Sequence, residues 1–502
     1  MKNRIKQYLL AASMCVGLTA CSDFFEPIPG VQFGLDETFA SKQRTEEYLN
    51  NVYSYVREVT DAIHPNTYGG IFTEASLDGA NRWNKTYAEW TNGSFNSASA
   101  QASEYFSKYY QAIAKASTFI QNVDKCTEAA ASTRGKWKSE ARALRAYYYF
   151  ELLRLYGPIP LIGEDPIPLD ASLEELIKER NSVDECVNFI ATELQSAIDS
   201  GDLLQRAGKA NLGRMDVATC MALKAKLYLY WASPLFNGNT DQASVKNKDG
   251  KQLFPQTEDN SKWAQARDAY ERFMTFATGQ GYKLTEVYTN GKLDPYASCR
   301  AAGEFFTTTW EAVDELIFVK LRDLYDYTYW VCPKFTDFQD TDVTGGGGYY
   351  TTQETVDLFF TKDGLTIEED PGYDKFEGIP SANNFTSGRY YDPNNPSRLY
   401  FDADKSKVLK QWKDREPRFY VNITYSGSIW LNEGKYNEEM RTDFTNGANG
   451  TCGKSKASGD CPDSGYLIRR GAKASNNNGS KHFSPVLRLA DMYLGYAEAL
   501  CM

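Results

Sequence analysis

Trp137-Lys138-Ser139-Glu140-Ala141-Arg142-Ala143-Leu144-Arg145-Ala146-Tyr147-Tyr148-Tyr149-Phe150, running on to Leu155-Tyr156-Gly157-Pro158-Ile159-Pro160-Leu161, is the stretch that decides the fold. Ala141, Leu144, Tyr148, Leu152 and Leu155 recur at three- and four-residue spacing and predict one helix over about 136–156. Gly157-Pro158 ends it, because glycine closes a helix and proline does not continue one. Ala141, Ala143 and Ala146 leave room for a second helix to approach closely. Glu140, Arg142 and Arg145 stand among apolar residues, so buried or half-buried ion pairs between helices are expected of them rather than ligand contacts.

Helical signals continue on both sides. Tyr105, Tyr109, Ala112, Ile113, Ala116, Phe119, Ile120 and Val123 mark a helix over 104–123. Ser182, with Glu185 three residues on, is a capping box opening a helix to Ile198. Asp216 to Ala232 is apolar on nearly all sides and needs neighbours on more than one face. Its Ala218, Ala222 and Ala225 again suit close approach. Trp263 to Phe276 repeats the pattern. These features predict a mainly α protein: a tetratricopeptide-like scaffold of helical hairpins (an α-α superhelix), with long loop-rich insertions and a few short strands. From residue 281 Gly, Asn, Asp and Pro multiply around short apolar stretches such as Leu316 to Lys320 and Phe419 to Thr424. Gly345 to Gly348 reads as a flexible connector. Thr442 to Lys481 reads as a long insertion or mobile loop, and a helix is expected over 485–500.

The N-terminus carries an address. Lys2, Arg4 and Lys6 precede an apolar stretch from Tyr8 to Val16, then Leu18-Thr19-Ala20-Cys21. A charged start, a short apolar run and small residues at the cut form an export signal. The run is shorter than the ~20 residues a transmembrane helix needs. Leu-Thr-Ala-Cys reads as a lipobox, which makes Cys21 the new N-terminus and the lipid carrier. The organisation expected is a signal peptide over 1–20, a lipidated tether over 21–35, a helical scaffold over 36–280 and a loop-rich region over 281–502 that ends in a scaffold helix.

Losing Lys2, Arg4 and Lys6 takes the formal charge from −11 to −14. So acidic a surface argues against nucleic acid or anionic lipid as partner. With only His64 and His482, histidine-based nucleophile activation and histidine-rich metal sites lack raw material. No phosphate-binding glycine motif occurs, and no cofactor or metal is expected. The cysteines show neither disulfide-scaffold density nor a C-x-x-C pair. Cys186 and Cys220 lie in helical runs as buried thiols, whereas Cys452 and Cys461 flank a short loop and suit a local disulfide in an oxidising compartment.

Five stretches resemble the SusD/RagB nutrient-binding lipoproteins of the bacterial outer membrane: Trp137 to Leu161, Gly213-Arg214 to Tyr230, Thr352 to Leu358, Lys413 to Arg418, and His482 to Leu500. The resemblance implies a non-catalytic, lipid-anchored protein at the cell surface. Such a protein captures oligo- or polysaccharide and delivers it to a SusC-like TonB-dependent transporter. It touches the membrane through its lipid alone. In that family the last helix is usually followed by further residues. Here the given sequence stops at Met502, truncated or short by nature, and in either case part of the helical face is expected to lack cover. Sugar capture of this kind uses aromatic platforms in loops, because a pyranose C–H face stacks on an indole or phenol while its hydroxyls take hydrogen bonds. Two clusters fit. One is Asn81 to Asn92, with Trp83, Asn84, Tyr87 and Trp90. The other is Arg322 to Trp330, with Arg322, Tyr325, Tyr327 and Trp330. Trp412 and Trp430, beside strand-like or turn-like segments, are poorer candidates. The alternatives are a peptide-capturing member of the family, or a lipoprotein glycoside hydrolase drawing its carboxylate pair from the 66 acids.

Overall fold

The computed structural model describes residues 34–57, 79–81, 93–164, 171–303, 314–322, 331–335, 345–376, 378–430, 442–444, 460–472 and 482–502, with residues 76, 89, 167, 452 and 453. The signal peptide, Cys21 and the tether up to residue 33 lie outside the described residues. Two N-terminal helices, α1 (Leu35–Ala40) and α2 (Lys42–Ser54), precede α3 (Ala100–Asn122), α4 (Ala131–Tyr156), α5 (Val183–Asp199), α6 (Val217–Ala232) and α7 (Ser261–Gly279). From α3 to α7 each helix packs on the next, and α11 (Leu489–Cys501) closes the row against α6 and α7. The expected tetratricopeptide-like scaffold is therefore present.

The apolar positions predicted for α3, from Tyr105 to Ile120, are buried. Glu185 N–H donates to Ser182 Oγ and Ser182 N–H to Glu185 Oε2, completing the capping box at α5. Gly157 closes α4 with φ +69°, its N–H donating to Leu153 O. Asp216 caps α6 by accepting from Thr219 N–H and Ala207 N–H, and burial pushes its carboxyl up to about 6. One expectation needs enlarging. α4 buries more than a single stripe: every residue from Ala143 to Leu153 is inside, because α3 and α5 cover it from different sides.

The charged residues of α4 join these layers. Arg145 is fully buried; its Nε and Nη2 donate to Glu193 Oε2 of α5 at 2.9 and 2.5 Å, and its Nη1 to Ser117 Oγ of α3 at 3.1 Å. Arg142 donates to the other oxygen of Glu193 at 3.2 Å. Glu140 accepts from the Tyr53 hydroxyl of α2 and pairs with Arg214 at 2.9 Å, and burial raises its pKa against the pull of Arg214. Lys226 of α6 pairs with Asp491 of α11 at 2.6 Å.

The end of the chain differs from expectation. Residues 482–488 form a strand, β10 (His482–Arg488), paired antiparallel with β4 (Leu316–Arg322), and the helix begins only at Leu489. Pro485 has no N–H for a helix but is tolerated in this two-stranded ribbon, whose register shifts just after it. Leu489 N–H then donates to Glu315 O, so the strand pair aims α11 back onto the scaffold. A methyl on Gly495 would collide with the Tyr270 hydroxyl, so glycine there lets α11 lie close on α7.

A second core holds the loop-rich part together through Tyr296, Phe401, Trp412, Phe419, Tyr420 and Tyr425. Beside it runs an antiparallel sheet in the order β1 (Ala80–Asn81), β5 (Tyr349–Tyr350), β9 (Tyr466–Ile468), β8 (Ile423–Tyr425). Arg415 Nη2 donates to Val356 O and Phe359 O, both at 2.6 Å, tying the Lys413–Arg418 motif to the Thr352–Leu358 motif. The reading of 442–481 as one loose insertion fails over its described part. β9 sits inside the sheet, with Leu467 fully buried.

Truncating Arg145 to Met leaves the buried Glu193 carboxylate without its main partner, which costs about 3–5 kcal/mol. The double variant Arg145→Met/Glu193→Leu should regain much of that in a urea melt. A single-variant loss below about 1 kcal/mol would show that the pair does not hold the layers together.

Candidate functional site

Trp83, Asn84, Tyr87, Trp90, Tyr325, Tyr327 and Trp330 lie outside the described residues. The structure does place the points where their two segments leave and rejoin the fold. The first cluster opens at Asn81, which pairs with Tyr349, as Ala80 pairs with Tyr350. The second opens at Arg322, which the sequence reading set in a loop. Its backbone is instead the last position of β4, opposite His482. Leu316 to Leu321, apolar except for Lys320, propagates the ladder that far.

The second cluster rejoins at Val331-Cys332-Pro333, all buried. There the glycine run does something other than connect loosely. Gly345 N–H donates to Pro333 O and Gly347 N–H to Cys332 O, both at 3.0 Å, and Gly345 to Gly348 are buried. A methyl on Gly347 would stand 2.9 Å from Asp460 O and 3.2 Å from Lys334 N, at φ +56°. Gly347 leaves no room for a side chain because the backbone at Lys334 and at Asp460 closes on it. Lys334 Nζ and Asp460 Oδ2 pair at 2.5 Å across the same junction. The run leads straight into β5. Tyr349 of this strand thus pairs with Asn81 at the root of the first cluster, and Gly347, two residues before the strand, bonds Cys332 just after the second.

Sequence reasoning missed this anchor, since two residues show no period and the flanking glycines look like slack. Trp412 and Trp430, read from the sequence as poorer candidates, are both inside the fold. Trp412 is buried and donates to the Tyr466 hydroxyl, and Trp430 is buried edge-on to Phe335. Elsewhere a groove of about 430 Å³ runs beside α3, lined by Phe106, Tyr110, Ile113, Ile162 and Ile177. Among its described lining residues the polar side chains are Ser117, Lys178 and Tyr110, and the Tyr110 hydroxyl already donates to Pro160 O.

Two family models match the chain, one described as the SusD family over residues 315–502 and one as "Starch-binding associating with outer membrane" over residues 32–229. The chain belongs to the SusD/RagB family. A SusD-like protein of Bacteroides ovatus is 27% identical over 175 residues, which is 34% of this chain and 30% of that relative. The matched segment is thus under a third of the relative's length. Among solved structures, BT4246 superposes with a TM-score of 0.72 at 23% identity, over 91% of this chain and 78% of its own. A SusD-like carbohydrate binding protein of Bacteroides fragilis NCTC 9343 gives 0.59 at 17% identity, over 92% and 74%. These likenesses carry the SusD fold.

Gly347→Ala should lower stability by about 1–3 kcal/mol, read as a fall in Tm. Gly388→Ala serves as control, because Gly388 shares a positive φ of +80° but has nothing within 4 Å of a methyl. Equal losses in the two variants would mean that backbone strain alone, not the close junction, governs Gly347.

Proposed function

We propose that this SusD/RagB protein is a lipid-anchored glycan-capturing protein of the outer membrane that passes oligo- or polysaccharide to a SusC-like TonB-dependent transporter. The observation that supports the reading is where the described ends of the two aromatic segments lie. Asn81, which opens the first, pairs with Tyr349 of β5, and Cys332, just after the second, accepts from Gly347 N–H two residues before that strand. A sugar chain needs several stacking faces and amides side by side on a rigid base. The name of the Bacteroides fragilis neighbour, a carbohydrate binding protein, supports the same ligand class. No helix among the described residues is long and apolar enough to cross a membrane, which accords with anchorage through the Cys21 lipid.

The state of the buried acids favours capture over hydrolysis. A glycosidase needs one carboxyl with a raised pKa facing a cleft. Glu140, raised by burial, is held by Arg214 and the Tyr53 hydroxyl between helices, Glu193 is paired with Arg145, and Asp294 is held down to about 2 by Arg398. The raised Asp216 is spent on capping α6.

A binding screen of the chain lacking residues 1–21 against many polysaccharides should find saturable binding without sugar release. Trp83→Ala and Trp330→Ala should each weaken it about tenfold or more, the effect of losing an aromatic anchor. If both variants bind like the parent, the site is elsewhere. Sugar release abolished by one carboxylate substitution would establish the hydrolase instead, and binding of peptides but not glycans the peptide-capturing alternative.

Anchorage has its own measurement. Cys21→Ser should move the protein from the membrane fraction to the soluble fraction, because the acyl chains supply about 0.8 kcal/mol per buried methylene. Retention in the membrane fraction would refute the lipid anchor.

A further inference from the structure

We infer that Arg469 is the seat of an oxyanion, a carboxylate or sulfate group, close to where the second aromatic segment rejoins the fold. Three arginines are buried among the described residues: Arg145, Arg415 and Arg469, the last 7% exposed. Arg145 donates three hydrogen bonds, to Glu193 and Ser117. Arg415 donates to the Tyr373 hydroxyl, Val356 O and Phe359 O. Arg469 differs from both. Among the described residues no carboxylate, carbonyl or hydroxyl accepts from its guanidinium. Its Nε is sealed from solvent without a partner, and the 7% left open gives an ion access to the rest of the fork. The chain carries 66 acidic residues against 55 basic ones, yet none of those described pairs with this cation.

What Arg469 does touch leaves its donors unused. Its guanidinium lies over the Trp430 ring, 5.6 Å from the centre. Attraction to a ring face engages the charge and leaves the N–H groups without acceptors. The Arg469 backbone N–H donates to Asn422 O at 2.7 Å, which fixes the residue at the end of the helix Pro417–Asn422. The helix Pro295–Gly303, which carries Arg300, packs on that one. Burial pulls the Arg469 guanidinium below the ordinary arginine value, and the Arg300 charge adds to the pull. A buried cation without a counter-ion is costly, and an oxyanion removes that cost by taking two N–H bonds of the fork at once. Trp430 in turn lies edge-on to Phe335, at the end of the stretch 331–335 that follows the second aromatic cluster. If the chain captures glycans as proposed above, an acidic sugar residue is the source of the oxyanion at that place. A free inorganic anion would use the same donors. One buried fork takes one such group and needs no basic surface patch, so the acidic exterior is compatible with it.

The test titrates the chain lacking residues 1–21 with sodium sulfate and with sodium glucuronate, at ionic strength held constant by sodium chloride. Binding is read by calorimetry and Tm is followed in parallel. At least one of the two anions should bind saturably and raise Tm by a few degrees. In Arg469→Met that affinity should fall about tenfold or more, and the rise in Tm should vanish. Without oxyanion the Tm of Arg469→Met should be no lower than the parent's, since the variant removes a charge that lacks a counter-ion. Arg469→Lys keeps the charge without the fork and should also bind more weakly, so it decides if Arg469→Met does not fold. No saturable binding of either anion overturns the inference, as does equal binding by parent and variants. Binding of glucuronate supports the acidic sugar as source, and binding of sulfate alone supports the seat but refutes that source. The titration needs no polysaccharide, so it can succeed where the glycan screen fails.

Discussion

The Arg145–Glu193 pair is the contact on which the rest of the scaffold depends. Both charges are out of water, which is costly unless each finds partners in good geometry. Arg145 meets that condition with three donated hydrogen bonds, to α5 and to α3. Glu193 meets it by sharing its oxygens between Arg145 and Arg142. A helix layer that slid by one turn would leave one of these charges stranded. The pair therefore sets the register of three helices, where apolar packing alone would tolerate several.

The same logic recurs along the chain. Glu140 ties α4 to α2 and to Arg214, Lys226 ties α6 to α11, and Arg415 binds two motifs into one corner. The stretches that mark the SusD/RagB family thus contact one another or the neighbouring helices. They define the fold.

β5 links that scaffold to the loops. It is held between β1 and β9, and the buried glycine run before it passes Lys334 and Asp460 closely at Gly347. A binding surface built on loops needs rigid roots, since each freely moving side chain must be ordered when ligand binds. Glycine here supplies rigidity by allowing backbones to touch, the opposite of its use in a linker.

The sequence by itself determined the long helices, the Ser182 capping box, the stop at Gly157 and the ionic role of Glu140, Arg142 and Arg145. All of these are local in period or spacing, and a helix repeats its environment every three or four residues. The aromatic composition of the two candidate clusters was equally plain. Tertiary structure alone decided that Pro485 to Arg488 is a strand, that Arg322 ends β4, that Gly345 to Gly348 is packed, and that β9 lies within the supposed insertion. Each of those depends on a partner more than a hundred residues away, or on a backbone approach that leaves no trace in periodicity. The meeting of Asn81 with Tyr349, and of Cys332 with Gly347 just before the same short strand, is of the same kind: it follows from which chains pair, which no single stretch of sequence encodes.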